Sequence, residues 1–159
     1  MSSSQRGLRF WISSWWPVAV GIVIITGEST KYFGADHTSH PLRLIFQAFF
    51  GFVSDGRWED IHHIIRKCGH FLGYGALGLA WLRAWWMTLR DSSFYIDGIL
   101  ALLGTAIVAS SDEFHQTFLP NRTGTPWDVL LDCCGALVML CLVFSVMRLF
   151  RPSLLAHRI

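Results

Sequence analysis

Two adjacent acidic residues follow one of the most apolar stretches in this sequence. The segment DGILALLGTAIVA (97–109) carries almost no polar side chain, and Asp112 and Glu113 come shortly after it. Gln116 shares a helix face with Asp112, since residues three and four apart are neighbours on a helix. Carboxylates at the end of an apolar helix oppose the negative end of its dipole, where a structural role would favour Lys or Arg. The placement therefore favours a functional role for the pair.

Further polar side chains stand at helical spacing in two other apolar segments. Lys67, His70 and Tyr74 would form one stripe, and Asp128 and Asp132 another. A charged side chain within a membrane costs about 2.5–3.5 kcal/mol at mid-depth and less near the boundary. These residues are therefore expected to pair with one another or to face water.

The residue types fit chemistry on an anionic substrate. Lys67 and Arg122 would hold a headgroup such as phosphate, for which Arg offers a bidentate fork. His70 or Glu113 would serve as general base or acid. The catalytic candidates are His70, Asp112, Glu113 and Asp128, and the substrate-binding candidates are Lys67, Tyr74, Gln116, Arg122 and Asp132.

A divalent metal is an open alternative for the same residues. Asp112 and Asp128 could orient the reacting groups or bind the ion. The Asp-Glu-x-His stretch from Asp112 to His115 offers hard oxygen ligands and one imidazole, which suit Mg²⁺, Mn²⁺ or Zn²⁺. The sequence leaves the cofactor undetermined.

Structural interpretations also exist for some of these positions. Thr125 as N-cap, Pro126 at the first helical position and Asp128 at the third are ordinary helix-start chemistry. Asp132 lies one turn deeper, so capping does not explain it. His62 and His63 are expected to be surface residues at the membrane boundary rather than ligands.

Composition defines the broad class of the chain. Of the 159 residues, 52% are apolar and 15% are charged, whereas an ordinary soluble domain carries about 25% charged residues. We therefore expect an all-α integral membrane protein. The formal charge of +2 does not suggest a nucleic-acid partner. The four cysteines lie in apolar segments and are expected to be buried small hydrophobes.

Four segments come close to the roughly 20 apolar residues that a spanning helix needs. We predict a single domain over residues 1–159, a four-helix membrane bundle with spans at about 10–26, 68–87, 95–111 and 127–149. The stretch PLRLIFQAFFGFV (41–53) is too short to span and rich in aromatics, which predicts a short interfacial helix between the first two spans.

The distribution of Lys and Arg predicts the orientation of these spans. Both termini and the connection between spans two and three carry arginines, which places them on the cytoplasmic side. Five basic residues in the first connection oppose this assignment, but the rule is weaker for long loops. The polar segments of spans two, three and four would then meet near the outer face of the plasma membrane.

Two stretches of the sequence, KCGHFLGYGALG (67–78) and SSDEFHQTFLPNRTGTPWDVLLDCCGA (110–136), resemble the VanZ-like family of small membrane proteins. The family pattern is Lys-x-x-His-Phe-x-x-Tyr-x-x-Leu-Gly, then Asp-Glu-x-x-Gln, then Pro-Gly-Arg-x-Gly-x-x-x-Asp, then Asn-x-x-Gly. The residues that match it are Lys67, His70, Phe71, Tyr74, Leu77, Gly78, Asp112, Glu113, Gln116, Pro120, Arg122, Gly124, Asp128 and Gly135. The resemblance covers the motif-bearing region, residues 61–149. Two positions depart from the pattern, since Asn121 replaces a Gly and Asp132 stands where the family often has Asn.

The resemblance implies a bacterial cell-envelope protein, and the family's namesake is associated with low-level resistance to the glycopeptide teicoplanin. The reaction stays open among three hypotheses. The chain could be an enzyme acting on an anionic lipid-linked or envelope substrate. It could be a non-catalytic binder of a lipid headgroup or glycopeptide antibiotic. Its charges could also form a structural network only. The expected partners are membrane lipid and an envelope small molecule, with the oligomeric state undetermined.

Overall fold

Helices form the regular structure of the chain. The computed structural model describes residues 7–30, 35–89, 91–119 and 124–156. Within these ranges the helices are α1 (Leu8–Glu28), α2 (Ala35–Phe50), α3 (Asp55–Thr88), α4 (Phe94–Gln116), α5 (Pro126–Phe150) and α6 (Pro152–Ala156). The predicted all-α class is confirmed. Three predicted spans lie inside α1, α4 and α5 and end within a few residues of them.

Three of the helices, α1, α4 and α5, are long and apolar enough to cross a membrane. The predicted span at 68–87 lies inside α3, which does not meet that criterion among the described helices. Its glycines, tryptophans and polar side chains lower its hydropathy. The packing explains this composition, because α3 contacts each of α1, α4 and α5 and so turns less of its surface outward.

Glycine allows α3 and α5 to approach closely. A Cβ atom built at Gly135 of α5 would overlap the carbonyl oxygen of Phe71. One built at Gly78 of α3 would lie 2.8 Å from the Cβ of Ala136. Small residues at such crossings are typical of helices that pack inside a membrane. Gly73, on the same helix as Gly78, instead faces open space, so its lack of a side chain serves no close contact there.

Large apolar side chains cover much of the outer surface of the long helices. They are exposed along α1, α4 and α5, and include Trp16, Val23, Ile24, Ile99, Leu103, Ile107, Leu142, Val146 and Leu149. A soluble monomer rarely exposes so large an apolar area. Three of the four cysteines, Cys68, Cys134 and Cys141, lie on this exposed surface, so the expectation that they are buried is wrong.

The connection after α1 contains a helix that is attached to the beginning of α3. Predicted to start at Pro41, this helix, α2, begins at Ala35 and carries the proline inside it. Arg43 forms an ion pair with Asp55 at 2.7 Å, and the Trp58 indole donates to Ser39 Oγ at 2.7 Å. The side chains of Phe49 and Phe50 are exposed.

The beginning of α3 differs from the prediction. The helix starts at Asp55 rather than near Cys68, because its polar first turns pack against α2 instead of forming a loop. His62, expected to be a surface residue, is buried there. Its Nε2 lies 3.2 Å from Thr38 Oγ1, and its ring stacks on Trp58.

Candidate functional site

Polar side chains from four helices and the α4–α5 loop meet at one end of the molecule. The end of α1, the middle of α3, the end of α4 and the beginning of α5 all contribute. We call this group the polar cluster: Ser29, Lys67, His70, Tyr74, Asp112, Glu113, Gln116, Thr125, Asp128 and Asp132. Apart from Ser29 and Thr125, each of these residues is a site candidate named from the sequence.

Asp112 is the most fully hydrogen-bonded member of the polar cluster. Its buried carboxylate accepts hydrogen bonds from the Ser29 hydroxyl, from the Tyr74 hydroxyl at 3.1 Å and from Gln116 Nε2 at 3.1 Å. The Gln116 amide also donates to Ser29 Oγ at 3.3 Å. These contacts tie α1, α3 and α4 together through one carboxylate.

Ser29 was missed by the sequence interpretation. It is buried one residue after the end of α1 and contacts a residue more than eighty positions away. Its only local signal is its position as a polar residue directly after an apolar helix. That position is equally typical of a surface turn, so the contact could not be predicted.

The start of α5 forms the rim of the polar cluster. Thr125 caps the helix, since its hydroxyl oxygen accepts from the Asp128 amide at 3.3 Å. The same hydroxyl contacts Asp128 Oδ2 at 3.1 Å. Lys67 forms an ion pair with Asp128, and both side chains remain partly accessible. Asp128 therefore has two roles. It takes part in the predicted start of α5, and it pairs with Lys67, as expected for a charged residue in an apolar segment.

Glu113 lies between the polar cluster and a cleft on the surface of the protein. Its side chain is buried, and Oε2 accepts a hydrogen bond from the Thr125 amide at 3.0 Å. It also lines a cleft of about 530 Å³ between α4 and α5. The other lining residues carry no ionisable side chain: Ser110, Phe114, Thr117, Gly124, Thr125, Pro126, Val129 and Leu130. The cleft therefore presents one carboxyl group within largely apolar surroundings.

Asp132 and His70 form the part of the polar cluster that lacks hydrogen bonds. Asp132 has no exposed surface, and neither of its carboxylate oxygens has a hydrogen-bond partner among the described residues. His70 Nδ1 lies 3.5 Å from Asp132 Oδ1, yet it too has no hydrogen bond within the described ranges. Burying a polar group without a partner is costly, so this pair calls for an explanation.

A second cleft, lined by different residues, reaches His70. It has a volume of about 190 Å³ and lies between α1, α2 and α3. Its lining residues are Glu28, Thr38, Leu42, Ile65, Arg66, Gly69 and His70. The polar cluster is thus approached by two clefts, one ending at Glu113 and the other at His70.

Three members of the polar cluster lie close enough together to be candidate metal ligands. One ligand atom each from His70, Asp112 and Glu113 lies within 4.8 Å of the others. Asp128, the other acid considered for a metal from the sequence, is held by Lys67 instead.

Two residues considered from the sequence do not join this geometry. Arg122 lies outside the described residues. His115, which the spacing placed near Asp112, is exposed at the end of α4. The Asp-Glu-x-His stretch therefore contributes its two carboxylates to the polar cluster without its imidazole, which comes from His70 on α3.

The three membrane-capable helices and the buried polar cluster define a membrane-type protein of the all-α class. The profile of the VanZ/LLP1 family matches residues 15–150, and the chain belongs to that family. The match begins before residue 61, so it includes most of α1 in addition to the motif-bearing region. No curated protein and no solved structure shows a significant match to the chain.

Proposed function

We propose that the chain is a four-span protein of the bacterial inner membrane that acts on an anionic lipid-linked or cell-envelope substrate. In this arrangement α1, α3, α4 and α5 cross the bilayer, and α2 lies at the outer boundary with Phe49 and Phe50 turned toward lipid. Both termini are cytoplasmic, so the polar cluster lies near the outer leaflet. The exposed apolar surface of the long helices supports their position in a bilayer, and the distribution of Lys and Arg supports the orientation.

The observation that carries the proposed function is the position of Glu113. It belongs to the buried polar cluster and also lines the otherwise apolar cleft between α4 and α5. A cleft of this kind accommodates an acyl or polyprenyl chain, while the headgroup at its end reaches a carboxyl group. Ionisable groups inside membrane segments are rare and usually functional, and a substrate entering sideways from lipid would meet Glu113 first.

The neighbouring residues have complementary roles in this proposal. Lys67, partly accessible at the rim, binds the anionic headgroup by exchanging its contact with Asp128, and Arg122 adds a second cation. Glu113 and His70 transfer protons, which a carboxyl group and an imidazole can both do; Glu113 Oε2 accepts one hydrogen bond from Thr125, and His70 Nδ1 makes none among the described residues. Asp112 is held by three donors and orients the helices that carry these groups.

A second candidate function is non-catalytic binding of a lipid headgroup or a glycopeptide antibiotic. The engagement of Asp112 and Asp128 in existing contacts favours it, since these carboxylates are then less available for chemistry. Such a binder would contribute to teicoplanin resistance by retaining the ligand at the membrane surface.

The two functions separate in a single set of variants. The purified full chain in lipid nanodiscs containing a bacterial lipid extract is assayed by mass spectrometry for bound lipid and for converted lipid. If the chain is an enzyme, Glu113→Gln retains bound lipid and abolishes conversion. If it is a binder, Lys67→Met removes bound lipid, Glu113→Gln does not, and the wild type converts nothing.

Glu59→Gln is the matched control, because Glu59 is an exposed carboxylate on α3 far along the helix from the polar cluster. Its lipid content and conversion are expected to equal those of the wild type. The proposed function is rejected if the wild type neither retains nor converts any anionic lipid-linked or envelope compound.

A further inference from the structure

The acidic part of the polar cluster holds more buried carboxyl groups than the described lysine and arginine side chains pair with. Asp112, Glu113 and Asp132 are all buried. Lys67, the cation that the described residues bring into the polar cluster, is engaged with Asp128. Asp132 in addition has no hydrogen bond to either oxygen within the described part of the chain. Buried charges are normally paired with an opposite charge or bound to a metal.

We propose that His70, Asp112 and Glu113 bind a divalent ion of the first transition row, with Asp132 completing the site beside His70. The three ligand atoms come from two neighbouring helices and lie within 4.8 Å of one another. Metal–ligand distances of about 2.0–2.2 Å bring ligand atoms to within roughly 3.5–4.4 Å of each other. Side-chain rotations that move these atoms by about 1 Å satisfy that requirement.

Asp112 retains the capacity to bind a metal although it is already hydrogen-bonded. A carboxylate offers about four acceptor positions, and the donors from Ser29, Tyr74 and Gln116 occupy three of them. Carboxylates that bind metals are commonly held in this way by surrounding donors. The hydrogen bonds of Asp112 therefore prepare it as a ligand.

Asp132 has the position of the carboxylate that orients a metal-bound histidine. Its Oδ1 lies 3.5 Å from His70 Nδ1. A histidine that binds a metal through one ring nitrogen usually donates its other N–H to a carboxylate or carbonyl. A metal bound by the remaining ring nitrogen of His70 would strengthen this contact and would compensate the charge that Asp132 buries.

The ligand set indicates the class of metal. One imidazole and two carboxylates suit Zn²⁺ or Mn²⁺, whereas Ca²⁺ takes six to eight oxygen ligands. The 190 Å³ cleft that ends at His70 supplies an entry path for the ion, with Glu28 on its wall. This inference rests on the proposed function and deepens it, since it concerns the same site. It gives His70 and Glu113 the role of metal ligands in place of proton transfer.

Metal analysis of the full chain tests the inference without any substrate. The protein is purified in detergent through a tag that lacks histidine, from cells grown with Zn²⁺ and Mn²⁺, and its metal content is measured by mass spectrometry. We expect about one equivalent of a single metal in the wild type. His70→Ala and Glu113→Gln are expected to lower metal content at least tenfold, and Asp132→Asn to lower metal affinity about 10–100-fold.

Controls keep the result interpretable if a variant folds poorly. Glu113→Gln preserves the shape of the side chain, and its monodispersity is checked by size-exclusion chromatography. Glu59→Gln is expected to retain the full metal content. Adding Zn²⁺ or Mn²⁺ to chelator-treated wild type should raise the melting temperature, and the same addition should not do so in Glu113→Gln.

The inference is overturned if the wild type is purified without metal and no Zn²⁺ or Mn²⁺ addition changes its melting temperature. It is also overturned if His70→Ala and Glu113→Gln keep the wild-type metal content. Metal binding without lipid binding or conversion would leave the inference intact and reject the proposed function. Lipid conversion by a metal-free protein would support the proposed function and reject the metal site.

Discussion

Asp112 and Asp132 are both buried aspartates of the polar cluster, but their surroundings differ completely. Asp112 accepts hydrogen bonds from donors on two other parts of the chain and from Gln116 on its own helix. Asp132 accepts none from the described residues and faces only His70 at 3.5 Å. The Asp112 carboxylate holds helices together, whereas the Asp132 carboxylate is buried with His70 beside it and without a hydrogen bond from the described residues.

The difference shows that burial alone does not reveal what a membrane-embedded acid does. A satisfied carboxylate contributes to folding, and its loss leaves donors without partners. An unsatisfied carboxylate lowers stability and persists in a sequence for a reason other than folding. The two sites therefore predict stability changes of opposite sign.

The largest effect is expected from truncating Asp112. Asp112→Ala should lower the free energy of unfolding by about 3–5 kcal/mol, because it leaves the buried donors of Ser29, Tyr74 and Gln116 without their acceptor. Reversible unfolding in mixed detergent micelles measures the change. Asp112→Asn, which keeps one acceptor oxygen, should lose less. A loss below about 1 kcal/mol in the alanine variant would show that these hydrogen bonds do not stabilise the fold.

Replacing Asp132 should have the opposite sign. In chelator-treated protein, Asp132→Leu is expected to leave the free energy of unfolding unchanged or to raise it, since an apolar side chain of similar volume replaces a buried carboxyl group that accepts no hydrogen bond from the described residues, and His70 stays partly accessible to water. The same unfolding assay measures it.

Asp97 provides the matched control for this replacement. It is equally buried, near the beginning of α4, and accepts a hydrogen bond from the Ser92 hydroxyl at 2.5 Å. Asp97→Leu should therefore be destabilising. If Asp132→Leu destabilises the protein as much as Asp97→Leu does, then Asp132 is satisfied in the folded protein and the contrast with Asp112 fails.

The smallest effect is expected at the rim. A double-mutant cycle of Lys67→Met and Asp128→Asn should give a coupling energy of about 0.2–1 kcal/mol, because both side chains are partly accessible and their attraction is screened. The coupling should fall as salt concentration rises. A salt-independent coupling of several kcal/mol would show that this ion pair stabilises the fold, as the hydrogen bonds of Asp112 do. Lys67 would then not be free to exchange Asp128 for a headgroup.

Most of the fold was predictable because its helices are encoded by local composition. The apolar runs of α1, α4 and α5 are long enough to identify helices and their ends to within a few residues, apart from the polar last turn of α4. The beginning of α3 was not predictable in this way. Residues 55–67 are polar and indicate a loop on local grounds, but contacts with α2 extend the helix to Asp55.

The sequence was sufficient to predict which residues form the candidate site, but it did not predict which of them contact one another. Helical spacing placed Lys67, His70 and Tyr74 on one face, and the ends of the apolar runs placed the acids at a common depth. Ser29 could not be found, because its contact with Asp112 depends on how α1 packs against α4.

By itself, the sequence determined the all-helical membrane class, the family and the set of polar residues at one end of the helices. These follow from composition, local periodicity and motif spacing, which require no knowledge of how distant segments meet. The tertiary structure alone decided that Asp112 is satisfied, that Asp132 is not, and that Glu113 faces a cleft. Those outcomes depend on distances of a few ångströms between helices, set by close contacts such as Gly135 against Phe71, and no local pattern records them.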